Sequence, residues 1–189
     1  MTVGVLALQG AFAKHQQIVE QLGFQTLAVR YADELANCSA LIIPGGESST
    51  ISLQLDNNGL REAVTEFARN HPVMGTCAGL ILMAQKTDSR MVTTLGLLDI
   101  SVSRNGWGRQ VHSFTANITI ALDNGSADVP AVFIRAPRID KTGPGVEVLG
   151  SYDHQPVLVR QGGHLGVTFH PELTGDQSIH DLFLKSVVT

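Results

Sequence analysis

The chain has 189 residues, 43% of them hydrophobic, a charged content of 16% and a formal net charge of -4. This length and composition exclude a disordered chain and suit one domain with a substantial core, expected over residues 1–189. The acidic balance argues against nucleic acid or an anionic membrane surface as the main partner, and no apolar run approaches the roughly 20 residues of a membrane span.

Val3 to Leu8 is a continuous apolar run, the pattern of a strand buried on both faces. It lacks a basic leader and is too short for a secretory segment, so it reads as a first strand rather than a signal peptide. Phe12, His15, Ile18, Val19 and Leu22 recur at helical spacing, and Gly23 closes that helix. Phe24 to Val29 reads as a second strand, 32–36 as a short helical turn, and Ala40 to Ile43 as a third buried strand stopped by Pro44-Gly45-Gly46. A helical region follows from about Ser49 to Asn70, broken near Asn57-Asn58-Gly59. A strand ending at Thr76 and a further helix complete a β-α-β-α alternation, which predicts a parallel sheet with helices on both faces.

The second half changes character. Leu97 to Ser103, Ser113 to Ala121, Ala131 to Ile134, Val146 to Tyr152, Val157 to Gln161 and Leu165 to Phe169 read as strands with short connections, predicting antiparallel additions to the core. Gln161-Gly162-Gly163-His164 reads as a hairpin turn. A last helix, about 177–187, carries Ile179, Leu182, Phe183 and Val187 at helical spacing.

Two cysteines, Cys38 and Cys77, with no CxxC and no Cys/His pair, predict neither a disulfide framework nor a zinc site, and place the chain in a reducing cytoplasm. Cys77 stands out by its surroundings. Gly75-Thr76-Cys77-Ala78-Gly79 joins the fourth strand to its helix and fits the Gly-x-nucleophile-x-Gly elbow. The turn strains the nucleophile, and side chains at the flanking glycines would crowd helix against strand. A cysteine at a helix N-terminus is also disposed to ionise. On this pentapeptide alone, a buried structural cysteine between two turn glycines remains an equal reading.

A thiol nucleophile needs a base, and the base an orienting group. Of the seven histidines, His15 reads as a packed residue on an apolar helix face, and His71 lies in a loop. His112, His154, His164 and His180 have no acid at a spacing that imposes geometry. His170 differs: it ends a strand and is followed by Pro171-Glu172. In an extended segment residues two apart share a side, so Glu172 is expected to orient His170. The segment Gly45-Gly46-Glu47-Ser48-Ser49-Thr50 has no Lys after its glycines and is not a phosphate loop. It reads either as a plain strand-to-helix turn with Ser48 or Ser49 as N-cap, or as an oxyanion site made by the N–H groups of Gly46 and Ala78.

Pro44-Gly45-Gly46-Glu47-Ser48, Gly75-Thr76-Cys77-Ala78-Gly79 and His170-Pro171-Glu172, in this order, resemble the class I (triad) glutamine amidotransferases. The resemblance covers essentially the whole chain. Val5-Leu6-Ala7-Leu8-Gln9-Gly10, Arg104-Asn105 followed by Gly108-Arg109-Gln110, and Phe133-Ile134-Arg135-Ala136-Pro137 narrow it to the glutaminase subunits of the deoxyxylulose-independent pyridoxal 5'-phosphate synthases.

The resemblance implies a three-layer, flavodoxin-like α/β fold with a mostly parallel central sheet and added antiparallel strands. It implies a Cys77, His170, Glu172 triad and glutamine contacts from Gly46, Glu47, Ser48, Arg104, Ile134 and Arg135. It implies hydrolysis of glutamine through a cysteine thioester, with ammonia passed to a barrel-shaped synthase subunit, up to twelve glutaminases sitting on a dodecameric core. No cofactor or metal is expected. The alternatives are a glutaminase serving another synthase, such as that for imidazole glycerol phosphate, or a non-catalytic assembly module. One departure stands out: His112 and Thr115 occupy positions where that family usually has acids.

Overall fold

The computed structural model describes residues 1–104, 106, 113–122 and 125–188. Asn105, Gly108, Arg109, Gln110 and His112, singled out above, lie outside the described residues.

Strand β1 (Thr2–Leu6) leads to helix α1 (Phe12–Gln21), β2 (Gln25–Val29), a 3-10 turn (Ala32–Asn37) and β3 (Ala40–Ile43). Helices α2 (Ser48–Asn57) and α3 (Leu60–Phe67) follow, split where Gly59 adopts φ 65°. Then come β4 (Val73–Thr76) and α4 (Ala78–Met83). β1 lies between β2 and β3, β3 pairs with β4, and all three pairings are parallel. Leu41 and Ile43 of β3 join the core on one sheet face and Ala40 and Ile42 the core on the other, as period-2 alternation requires of a doubly covered strand. Ile51, Leu55, Leu60, Val64 and Leu80 cover the first face; Val19, Ile179 and Phe183 cover the second.

The second half builds β5 (Ala84–Thr87), β6 (Leu98–Ser103), β7 (Ser113–Leu122), β8 (Gly125–Ile134), β9 (Arg138–Thr142), β10 (Glu147–Tyr152), β11 (Gln155–Gln161) and β12 (His164–Val167), then helix α5 (Ser178–Val188). Among the described residues the main sheet runs β2-β1-β3-β4-β12-β11-β10-β7-β8. β12 pairs with β4 in parallel, while β11, β10, β7 and β8 add antiparallel strands beyond it. The resulting α/β fold thus has a parallel half and an antiparallel extension.

Several local expectations are corrected. The apolar run after Cys77 reads as one helix, yet α4 stops at Met83 and the chain turns extended at Ala84 to form β5. β9 escapes pattern reading because Ile139 is its one buried residue. β8 starts at Gly125 rather than Ala131, running through Pro130; it is the edge of the sheet, where a missing N–H is tolerated. Asp153-His154, between the strands expected to end at Tyr152 and to begin at Val157, has positive φ at both residues, 48° and 61°, and forms the two-residue turn between β10 and β11. The 161–164 hairpin turn is as expected, with Gln161 opposite His164. No described helix is long and apolar enough to cross a membrane.

Candidate active site

The carboxyl ends of β1, β3, β4 and β12, neighbours in the parallel half, deliver Gln9-Gly10, the 45–48 loop, Cys77 and His170 to one rim. Open α/β sheets place ligands at this edge. At its centre Cys77 has φ 50° and ψ -103°, a strained backbone for a residue with a Cβ. Its N–H is held by the Val167 carbonyl of β12 at 2.8 Å, which locks the elbow to the neighbouring strand. Both elbow glycines are needed. A Cβ on Gly79 would collide with the Ile43 carbonyl, and one on Gly75 would meet the Met83 sulfur and the Gly79 carbonyl.

His170 follows β12, and its own N–H is held by the Val132 carbonyl of β8 at 2.8 Å. Pro171–Leu173 is a 3-10 turn, not the extended segment expected from the sequence. Pro171 sets φ for the first turn position, and the tight turn brings Glu172 back under the ring. Nδ1 of His170 lies 2.7 Å from Oε1 of Glu172, whose side chain has no solvent exposure. Burial works against a charge on His170, yet the Cys77 sulfur and the Glu172 carboxylate together push it up to about 10. Burial likewise opposes ionisation of Glu172, but the His170 hydrogen bond and the attraction of the His15 and His170 rings together outweigh it, holding the carboxyl below its ordinary range.

The third segment differs from the expectation in one respect. Glu47, not Ser48 or Ser49, is the N-cap of α2. Its carboxylate accepts from the Ser49 hydroxyl at 2.6 Å, the Thr50 hydroxyl at 2.8 Å and the Thr50 N–H at 2.9 Å. These donors, Ser49 foremost, hold Glu47 down at about 2. Arg104 donates from Nη2 to the same carboxylate at 3.0 Å. Of the successive N–H groups here, that of Gly45 donates to Thr76 Oγ1 at 3.1 Å and that of Glu47 to Gln9 Oε1 at 2.7 Å. The N–H of Gly46 has no acceptor among the described residues, and that of Ala78, first in α4, has none within its helix.

A cavity of about 260 Å³ opens here. Gly46, Glu47, Ser48, Cys77, Ala78, Ile81, Arg104, Ile134, Arg135 and His170 line it. Its volume is amino-acid scale, below the roughly 300–1,000 Å³ of drug-sized pockets. Every expected glutamine contact and both expected oxyanion donors are on this list of walls; Ile81 is an addition. Arg135, just past β8, has φ 43°, a second strained residue at the rim. The Cys77 thiol points to the Ile134 carbonyl, 3.9 Å away.

Residues 5–189 match the SNO glutamine amidotransferase family. The chain belongs to that family. The pyridoxal 5'-phosphate synthase subunit PdxT of Oenococcus oeni is 47% identical over 183 residues, spanning 97% of this chain and 95% of that protein. The PdxT of Koribacter versatilis is 48% identical, spanning 99% and 96%. A crystal structure of a glutamine amidotransferase superposes with a TM-score of 0.93 at 40% identity, over 99% of both chains. The structure of PurLQS from Thermotoga maritima shares the fold, with a TM-score of 0.70 at 16% identity.

This SNO-family site also contains residues that sequence reasoning missed. His15, which by its place on an apolar helix face reads as core packing, is indeed fully buried, but its Nε2 lies 3.4 Å from Glu172 Oε2 and 3.4 Å from Thr76 Oγ1. His180 of α5 meets its other nitrogen. Neither histidine has an acid at a telling spacing, so no local signal marks them. Thr115, one of the two departures from the family pattern, sits on the exposed side of β7 opposite Val132, the residue whose carbonyl holds the His170 N–H.

Proposed function

We propose that the chain hydrolyses glutamine to glutamate and ammonia at Cys77, and hands the ammonia to the synthase subunit of a pyridoxal 5'-phosphate synthase. The observation that carries the chemistry is Cys77 on a strained elbow at a cavity wall, with the His170–Glu172 pair arriving from the adjacent parallel strand.

Cys77 gives its proton to Nε2 of His170, because Nδ1 is engaged with Glu172. The thiolate attacks the side-chain amide carbon of glutamine, and the carbonyl electron pair moves onto oxygen. The Gly46 and Ala78 N–H groups stabilise that oxyanion. Collapse expels the amide nitrogen, which takes the proton from His170 and leaves as ammonia. His170 then deprotonates a water that attacks the thioester. Glutamate departs and the sulfur is regenerated. Glu172 holds the ring and balances its charge throughout. Arg104, Glu47, Ser48, Ile134 and Arg135 contact the rest of the glutamine; the cap and ion pair that fix Glu47 support a pre-formed wall there.

The PdxT relatives favour pyridoxal 5'-phosphate synthesis over another ammonia-using pathway, and the intact triad geometry favours catalysis over a purely structural module. In this reading residues 1–189 act as one cytoplasmic glutaminase domain, docking up to twelve-fold on a dodecameric core. Free ammonia is protonated and diluted at neutral pH, so direct transfer to a docked subunit fits the chemistry. The test is glutamate release and pyridoxal 5'-phosphate formation by the chain mixed with a pyridoxal 5'-phosphate synthase subunit. Glutamate release without cofactor formation would move the chain to another pathway.

A further inference from the structure

The floor beneath the triad is a row of buried polar groups with no assigned part in the chemistry. His15 projects from α1 and His180 from α5, two helices packed on the same face of the sheet. Both side chains are fully buried. Nδ1 of His15 lies 2.8 Å from Nε2 of His180, bridging positions 165 residues apart in sequence. Nε2 of His15 faces Glu172 Oε2 at 3.4 Å and Thr76 Oγ1 at 3.4 Å. The Thr76 hydroxyl in turn accepts the Gly45 N–H at 3.1 Å.

Proton placement along this row follows from what each atom can do. A carboxylate only accepts, and a bare nitrogen beside it would set lone pair against charge, so the hydrogen of His15 is assigned to the Nε2 that faces both Glu172 and the Thr76 hydroxyl. A neutral imidazole then has a bare Nδ1, which must accept from His180 Nε2–H. That leaves Nδ1 of His180 as a lone pair, and it is the ring atom with no partner in the interior. A buried lone pair without a partner is the less costly of the two orphans, since unpaired buried N–H groups are rarer. The whole row therefore has one consistent direction: His180 to His15 to Glu172, with His170 donating to Glu172 from the opposite side.

We propose that His15 and His180 are positioning residues for the hydrolysis, a buried relay that fixes the Glu172 carboxylate and, through the Thr76 hydroxyl, couples it to the Gly45 peptide. Glu172 Oε2 is buried and accepts no hydrogen bond of ordinary geometry among the described residues, so the His15 Nε2 at 3.4 Å holds it by a longer electrostatic contact, and removing that contact frees the carboxylate to rotate away from His170. The same histidine touches both halves of the machinery, the triad through Glu172 and the oxyanion loop through Thr76. Its helix also begins two residues after Gly10, which packs against the Gly45 carbonyl. A packing role alone asks only for volume, and an apolar side chain would serve that better than two imidazoles.

The relay rests on the Cys77–His170–Glu172 assignment, so the test has one arm that does not use activity. In the whole wild-type chain, 15N spectra of labelled histidine are expected to show both His15 and His180 neutral at pH 7 with hydrogen on Nε2. In turnover assays with the synthase subunit present, His15→Leu is expected to lower kcat about 10-fold or more, the scale seen when a partner that orients a reactive group is removed. KM for glutamine should stay within about twofold, because no relay atom reaches the cavity. His15→Gln, which returns a donor near the Nε2 position, should recover most of the rate, and His180→Leu should fall between wild type and His15→Leu. Hydrogen on Nδ1 of His15, or a folded His15→Leu protein with wild-type kcat, overturns the relay and leaves the triad assignment standing. Turnover by Cys77→Ala would instead remove the triad itself.

Discussion

Gly45 packs closely against the imidazole of His170: a Cβ built on it would sit 2.5 Å from Cε1, 3.1 Å from Nδ1 and 3.3 Å from the Cβ of Cys77. The missing side chain is the space in which base and nucleophile approach each other. Gly45→Ala should therefore displace His170 and lower kcat, by about 10²-fold if the ring moves by an ångström. Far-UV circular dichroism should stay native, since the loop lies at the rim of the sheet. Unchanged turnover would show that the ring has another resting place.

Cys77→Ala should abolish glutamate release and leave the fold intact, since only a sulfur at a cavity wall is lost. A glutamine-mimicking electrophile should label Cys77 and spare Cys38. Burial, then the Glu34 charge, push the Cys38 thiol up, and that thiol is packed under β1 rather than open to a cavity. Mass mapping of the adduct to Cys38 would contradict the assignment.

Glu172→Gln should slow turnover by about 10²–10⁴ without abolishing it. The carboxylate accepts from His170 on one oxygen and faces His15 with the other. An amide must turn its NH₂ toward one of them, setting donor against donor in the interior. A rate equal to wild type would mean that another group orients His170.

Stability should peak near neutral pH and fall on both sides. Burial holds His15 at about 4 and His180 at about 3, against 6.5 in the unfolded chain. The unfolded chain thus binds more protons as pH falls from 6.5 toward 4, and stability drops across that window. His170 has the opposite sign. Its raised value of about 10 gives stability that is fully present below 6.5 and lost as pH rises toward 10. Urea midpoints at about pH 5 and about pH 9.5 should both lie below that at pH 7. A flat midpoint from pH 7 down to 5 would show the two imidazoles already charged in the folded state.

The isolated chain should be a poor glutaminase that its synthase partner switches on. Gly46 is a proposed oxyanion donor, and losing one such donor typically costs about 10²–10³ in rate, so reorienting one peptide is enough of a gate. The Gln9-Gly10 turn can reach that peptide: Gln9 holds the Glu47 N–H at 2.7 Å, and a Cβ on Gly10 would collide with the Gly45 carbonyl. Steady-state glutamate release at saturating glutamine should rise at least tenfold on adding the partner, about 1.4 kcal/mol. Equal rates with and without it would remove the gate.

The sequence by itself determined the strand–helix alternation through Met83, the elbow at Cys77 and the pairing of His170 with Glu172. Those are local: side-chain periodicity, turn glycines and a proline that fixes φ are written within a few residues. Even there the reason for the last contact was different, since a 3-10 turn rather than an extended segment brings Glu172 under the ring. Only the tertiary structure decided that β12, near the end of the chain, inserts beside β4, with Gly166 opposite Gly75 and Val167 opposite Thr76. That register sets His170 against Cys77. The same holds for Arg104 on Glu47, 57 residues away, and for His15 on His180, 165 residues away. Which strands become neighbours is settled by burial of whole sheet faces and by loop closure across the chain. A window of sequence carries the shape of each element but not the energy of its distant pairing.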